Sequence, residues 1–203
     1  MSNNYRESEL IKRCIKGDNS AYLELIEQIE KPLINFIFRY IGEIYEAEDI
    51  FQETFVKVFK SLKDYKPTAS LTTWVFTIAR NLCLDHLKYK RRHKSFSLDN
   101  VLKEKDENII YFKEINSGKN TPPDDTVEKQ EDEDKIRIAL TLLTEKHREA
   151  IVLRIYSGLS YAEIADIVKA PVGTVKYRVH EALQMLAKKL AEMTDKERKE
   201  DIG

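Results

Sequence analysis

The chain reads as all-α: two small helical domains joined by a flexible acidic linker, the C-terminal one a helix-turn-helix. Three observations predict this. Apolar residues recur at helical spacing, no strand-like alternation of any length occurs, and the five prolines lie mostly at element edges. Helical periodicity runs from about Ser8 to His93 and again from about Asp134 to Met193, with a stretch between that lacks it. The predicted organisation is a domain at 8–94, a linker at 95–133 and a domain at 134–193.

The 203 residues are 42% hydrophobic and 34% charged, enough to build a core in a soluble protein. No apolar run approaches the roughly 20 residues needed to cross a bilayer. The start Met1-Ser2-Asn3-Asn4-Tyr5-Arg6 lacks a signal-peptide core, so a cytoplasmic location is expected. Cys14 and Cys83 each sit within an apolar helical stretch, which predicts buried free thiols rather than a disulfide or metal site. No zinc spacing occurs, and no cofactor is expected.

The net charge of −1 conceals an uneven distribution. Residues 1–63 hold 9 Lys and Arg against 11 Asp and Glu, and 64–94 hold 7 against 2. Residues 95–134 hold 5 against 12, and 135–203 hold 13 against 10. A basic block and an acidic linker follow from these counts.

Taken in order, the first helix that carries chemistry spans about 47–62. Phe51, Phe55, Val58 and Leu62 make its core stripe, and Glu48, Asp49, Gln52 and Glu53 occupy the other side. Such a face repels DNA. It is either merely solvated or suited to a basic protein surface, where charge complementarity sets encounter rate and register.

The next helix spans about 70–93. Leu71, Trp74, Val75, Ile78 and Leu82 give its core face, and Lys88, Lys90, Arg91 and Arg92 load its last turns. The macrodipole favours one or two cations there, but four in five positions suit a phosphate backbone better. Arg80, Asn81 and Asp85 lie further up the helix, able to hydrogen-bond base edges or single-stranded bases. Of the nearby aromatics Tyr65, Trp74 and Phe76, any exposed one could stack on an unpaired base, with core packing the default for Trp74 and Phe76.

The segment 95–134 contains Ser117-Gly118-Lys119-Asn120-Thr121-Pro122-Pro123 and the run Glu131-Asp132-Glu133-Asp134. That composition favours a mobile connector. Ile109, Ile110, Tyr111 and Phe112 interrupt it, as a docking segment or a local contact.

Residues 160–186 then read as a helix-turn-helix. Ser160 and Glu163 form a capping box, which satisfies two orphan backbone N–H groups and starts a helix. Ala162, Ile164, Ala165, Ile167 and Val168 give that helix its inner face. Lys169-Ala170-Pro171 breaks it, because the residue before a proline is pushed out of the helical region. In the following helix Val175, Val179, Ala182, Leu183 and Leu186 face the core, leaving Gly173, Tyr177, Glu181 and Gln184 outward with Lys176 and Arg178 at the flanks. A helix so built can lie in a major groove, with its centre at base edges and its cations on phosphates.

These residues, taken together and in this order, resemble the extracytoplasmic-function (ECF) group of sigma factors, the promoter-specificity subunits of bacterial RNA polymerase in the sigma-70 family. The carriers are Gly17-Asp18 with Ala21-Tyr22, then Ala47-Glu48-Asp49-Ile50-Phe51-Gln52-Glu53-Thr54-Phe55, then Trp74 through Ile78-Ala79-Arg80-Asn81 to Asp85. The 160–186 unit, preceded by Leu143-Thr144 and Arg148, completes the set, and the match runs nearly end to end.

The resemblance implies that Glu48, Asp49, Gln52 and Glu53 belong to the helix that docks on the polymerase core. It implies that Tyr65, Lys66, Arg80, Asn81, Asp85, Lys88, Arg91 and Arg92 engage the minus-ten element, where such proteins open the duplex and capture an extruded base. It assigns Arg148, Thr174, Lys176, Tyr177, Arg178 and Glu181 to the minus-thirty-five element, and an anti-sigma factor is a family expectation. Two departures stand out. Tyr177 and Glu181 occupy positions where a serine and an arginine are common, so base preference differs, since glutamate accepts from cytosine but repels phosphate. Thr144 stands where a proline is common, which affects only a helix start.

The main rival is a stand-alone helix-turn-helix regulator that binds DNA without polymerase. A nuclease using Asp49, Glu53 or Asp85 with a divalent cation is disfavoured. The sequence places no nucleophile-and-base pair, no phosphate-cradling glycine loop and no second carboxylate cluster, so no enzyme is expected.

Overall fold

The computed structural model describes residues 2–93 and 126–200. Among the described residues the regular structure is helical, with no strand. It divides into an N-terminal and a C-terminal unit, with residues 166–169 grouped with the first.

In the first unit, α1 covers Ser2–Ile15 and α2 covers Asn19–Ile41. The Gly17-Asp18 pair both ends the first helix and begins the second. Gly17 sits at φ +82, the left-handed region open to a residue without Cβ, and its N–H bonds the Cys14 carbonyl at 2.9 Å. Asp18 caps α2 by accepting from the Ser20 and Ala21 N–H groups at 2.9 and 3.3 Å. Arg13 closes over the cap, donating from Nε to Asp18 at 2.9 Å and from Nη1 to Glu24 at 3.1 Å. The Ser20 and Arg13 bonds hold the Asp18 carboxyl down at about 2.

Every residue from Leu33 to Ile41 is buried, so the second half of α2 is the hub of this unit. Pro32 lies inside that helix rather than at an edge. Phe36 is fully buried, stacked on Tyr40 and tilted against Phe76, each at 5.6 Å. Helix α3 covers Ile44–Ser61, ends in a 3-10 turn at Leu62–Asp64, and packs with α2 and α4, the latter covering Leu71–His93. Both Cys14 and Cys83 are buried free thiols, and burial raises the pKa of Cys14.

In the second unit, α5 covers Thr126–Thr141, α6 covers Glu145–Ile151 and runs into a π-helical turn at Val152–Tyr156. Helix α7 covers Tyr161–Val168 and α8 covers Val172–Glu200, with α5 and α6 packed on α8. The acidic run Glu131-Asp132-Glu133-Asp134 therefore lies in a helix, contrary to the connector read from its composition. Glu, Gln and Lys are good helix formers once a tertiary partner repays ordering, and α8 is that partner. Ile109–Phe112 and residues 94–125 lie outside the described residues.

The capping box forms as expected. Ser160 N–H donates to Glu163 Oε2 at 2.9 Å and Glu163 N–H donates to Ser160 Oγ at 3.3 Å. The break after α7 is sharper than the proline alone requires, because Lys169 itself turns left-handed at φ 53. Two expected core residues are instead on the surface. Leu183 is 45% exposed and Ala162 is also exposed, each at the rim of its helix's apolar stripe, while Val175, Val179, Ala182, Ile164 and Ile167 are buried.

Candidate nucleic-acid interface

Helix α3 carries two sets of carboxylates with different partners. Glu43 and Glu46, at its start, turn to α4: Lys90 Nζ donates to Glu43 Oε1 and, at 3.1 and 3.2 Å, to both oxygens of Glu46. His86 Nε2 lies 3.0 Å from Glu46 Oε2. Burial works against the charge on Lys90, but the Glu43 and Glu46 bonds outweigh it and raise its pKa. Lys90 is thus a bridge inside the unit. It is not available to a phosphate in the way the basic run suggested.

The second set faces outward. Asp49, Gln52 and Glu53 are exposed and Glu48 is half-buried, with Glu53 pairing to Lys57 at 3.2 Å along the helix. Sequence reasoning missed two apolar residues on the same stripe. Tyr45 is 56% exposed and Val56 is 49% exposed, at i−4 and i+7 from Asp49. The spacing was the available signal.

On α4, residues 81, 85, 88 and 92 fall within about 60° of one another at 3.6 residues per turn. Asn81, Asp85, Lys88 and Arg92 are all exposed there, Arg80 is half-buried beside them, and Arg91 is exposed on one shoulder. Lys88 pairs with Asp85 at 3.3 Å.

The 65–70 loop before this helix is held at both ends. Tyr65 donates its hydroxyl to the Ala69 carbonyl at 2.6 Å, with Glu7 of α1 a second acceptor at 3.2 Å. Burial, then the Glu7 carboxylate, pushes the Tyr65 phenol up to about 12. Glu7 also accepts the Leu71 N–H at 3.0 Å, so a side chain of α1 caps α4. Ser70 Oγ accepts the Thr73 N–H at 3.2 Å beside it. Nothing in the local sequence signals the Glu7 contact, because its partners lie 58 and 64 residues away. Lys66 is exposed in the loop.

Tyr65 and Trp74 are only partly open to solvent. Both are half-buried and pack on each other at 5.1 Å, while Phe76 is fully buried. The exposed aromatic of α4 is Tyr89, at 62%.

In the helix-turn-helix, Lys176 and Tyr177 are exposed, and Thr174, Arg178, Glu181 and Arg148 are half-buried. The π-helical turn places Arg154 where its Nη1 donates to the Leu159 carbonyl at 2.9 Å and its guanidinium lies 4.8 Å from the Tyr161 ring centre. Lys176 Nζ lies 5.8 Å from that ring. Arg154, Tyr161 and Lys176 thus form a cation–π cluster at the α8 N-terminus that sequence reasoning did not single out. Among the described residues, no group of three or more His, Cys, Asp or Glu is placed to hold a metal ion.

Sigma-70 region 2 matches residues 25–93, and Sigma-70, region 4 matches residues 133–186. The ECF RNA polymerase sigma factor SigW of Bacillus subtilis (strain 168) is 30% identical over 183 residues, 90% of this chain and 96% of its own length. The chain belongs to the ECF sigma factors of the sigma-70 family. As a sigma factor it directs RNA polymerase to promoters. The ECF RNA polymerase sigma-E factor of Escherichia coli (strain K12) is also 30% identical, over 191 residues that cover 94% of this sigma factor and 97% of that one. Among solved structures, the sigma factor RpoE from Bartonella quintana, in complex with the anti-sigma factor NepR, superposes with a TM-score of 0.63. It is 25% identical and covers 84% of this chain and 96% of its own. No described helix is long and apolar enough to cross a membrane.

Proposed function

We propose that this sigma factor divides its work among three faces. Glu48, Asp49, Gln52 and Glu53 on α3 dock on the polymerase core, with Tyr45 and Val56 as the apolar contacts of that patch. The 65–70 loop and α4, through Tyr65, Lys66, Arg80, Asn81, Asp85, Lys88, Arg91 and Arg92, engage the minus-ten element. Tyr65 acts there by holding the loop rather than by touching a base. Arg148, Thr174, Lys176, Tyr177, Arg178 and Glu181 engage the minus-thirty-five element. The protein works in the cytoplasm, as a specificity subunit that catalyses no reaction itself. The RpoE relative is held by an anti-sigma factor, and we extend that type of partner to this chain.

The observation that carries this reading is the sorting of charge on adjacent helices. The carboxylates of α3 that could repel DNA near α4, Glu43 and Glu46, are bonded by Lys90, and the outward ones form a separate face. In vitro transcription with polymerase core and a genomic library tests it. Defined start sites with two shared upstream elements are expected, and their absence would refute the reading. Asp49→Lys with Glu53→Lys should abolish core association while leaving the fold of the C-terminal unit intact, and retained association would remove the docking role. Tight operator binding by the protein alone would favour a stand-alone regulator instead.

A further inference from the structure

We infer that the Tyr89 ring, braced by His93, is a stacking surface for one base of promoter DNA exposed when the strands separate. The inference rests on the assignment of α4 to the minus-ten element. Tyr89 is 62% exposed although it sits in the last turns of a well-packed helix, and no other side chain of α4 presents so much aromatic surface. Exposed His93 lies one turn on, its ring 4.2 Å from that of Tyr89 with planes 42° apart. A neighbour at that distance restricts the rotamers of Tyr89, so less freedom is lost when a base covers the ring.

The position fits a nucleic acid. At about 100° per residue, Tyr89 lies about 80° and His93 about 120° around the helix from Asn81, on the shoulder opposite Arg91. Lys90, facing the far side, is consumed by Glu43 and Glu46. The exposed cations Arg92 and Lys88 lie about 60° and about 100° around the helix from the ring and provide for the backbone. What they do not provide is a flat apolar surface, the feature that single-strand binding proteins place beside such cations. Eight residues of helix put Tyr89 about 12 Å from Asn81, or about three to four base steps along a stacked strand. An unpaired base at Asn81 and a second at Tyr89 can therefore be held on one strand.

The test uses polymerase holoenzyme and a forked DNA cut from a promoter mapped in the library experiment, with the non-template strand unpaired across the minus-ten element. Tyr89→Leu should weaken forked-DNA binding about 5- to 150-fold, the span of base–aromatic stacking. Tyr89→Phe should stay within about twofold, and fully duplex DNA should respond to neither. A 2-aminopurine scan of the unpaired strand should show one position quenched by wild type and Tyr89→Phe but not by Tyr89→Leu. Equal binding by all three proteins overturns the inference. Equal loss in Tyr89→Phe and Tyr89→Leu also overturns it, by assigning the phenol hydroxyl to a phosphate. A loss of core affinity in Tyr89→Leu overturns it in favour of a protein contact. Wild-type holoenzyme that selects no defined start site would instead sink the minus-ten assignment, and the stacking role with it.

Discussion

Glu7 reaches from α1 to the N-terminus of α4, and removing it should loosen the 65–70 loop. Its carboxylate accepts the Leu71 N–H at 3.0 Å and shares the Tyr65 hydroxyl at 3.2 Å. The hydroxyl proton is chiefly committed to the Ala69 carbonyl at 2.6 Å, so the Leu71 bond carries most of the energy. A hydrogen bond to a charged group contributes about 1.5–3 kcal/mol, and half-exposure of Glu7 reduces this to about 1–2 kcal/mol. In Glu7→Ala the amides of 66–73 should then exchange hydrogen about 5- to 30-fold faster, at about 1.4 kcal/mol per factor of ten. Glu7→Gln keeps an acceptor but loses the charge and its favourable place at a helix N-terminus, and should show a smaller increase, about 2- to 5-fold. Exchange at Val75, Phe76 and Cys83, buried further along α4, should not change. Mass-resolved hydrogen exchange on the intact chain reads all three regions at once. Unaltered protection at 66–73 in Glu7→Ala would show that Ser70 alone caps the helix and that the reach from α1 is incidental.

Phe36→Ala should destabilise the first unit by about 3–5 kcal/mol, seen as early loss of its urea transition, because the cavity opens against Tyr40 and Phe76 at the hub. The folded pKa of Asp18 is about 2 against an ordinary 3.8, so its contribution is present above about pH 4 and lost as pH falls toward 2. Asp18→Asn should therefore flatten acid unfolding in that window, and an unchanged acid limb would refute the assignment. Lys176→Ala should lower the salt slope of upstream-element binding by about 1, and an unchanged slope would place Lys176 off the phosphates. Lys169→Gly should raise the melting temperature of the second unit by a few degrees, since glycine relieves a left-handed φ of 53 at an exposed position. A fall in melting temperature would show that the lysine side chain matters more than the strain.

The helices were legible because each writes a stripe at helical spacing, and the capping box was legible because both partners lie three residues apart. The bonds of Ser160 and Glu163 to each other are the clearest case. Contacts between helices were not legible. Lys90 looks like one more cation in a basic run until α3 brings Glu43 and Glu46 against it. Glu7 looks like an exposed acid in a first helix until the fold sets it at the start of α4. Nor does the spacing of Tyr65 and Trp74 announce that their rings pack on each other. Leu183 shows the converse error: a residue at the rim of an apolar stripe counts as core by periodicity, although the neighbouring helix does not reach it.

The pairing across α3 and α4 also explains how one small unit can hold opposite charges on neighbouring surfaces. An unpaired carboxylate at Glu43 or Glu46 would lie within a screening length of about 8 Å from the basic end of α4 and would oppose a phosphate there. Lys90 sits between the two glutamates, so that repulsion is reduced inside the unit. The cation consumed in this way was facing away from the stripe of Asn81, Lys88 and Arg92 and was the least useful to DNA. The same bonds tie the start of α3 to the end of α4.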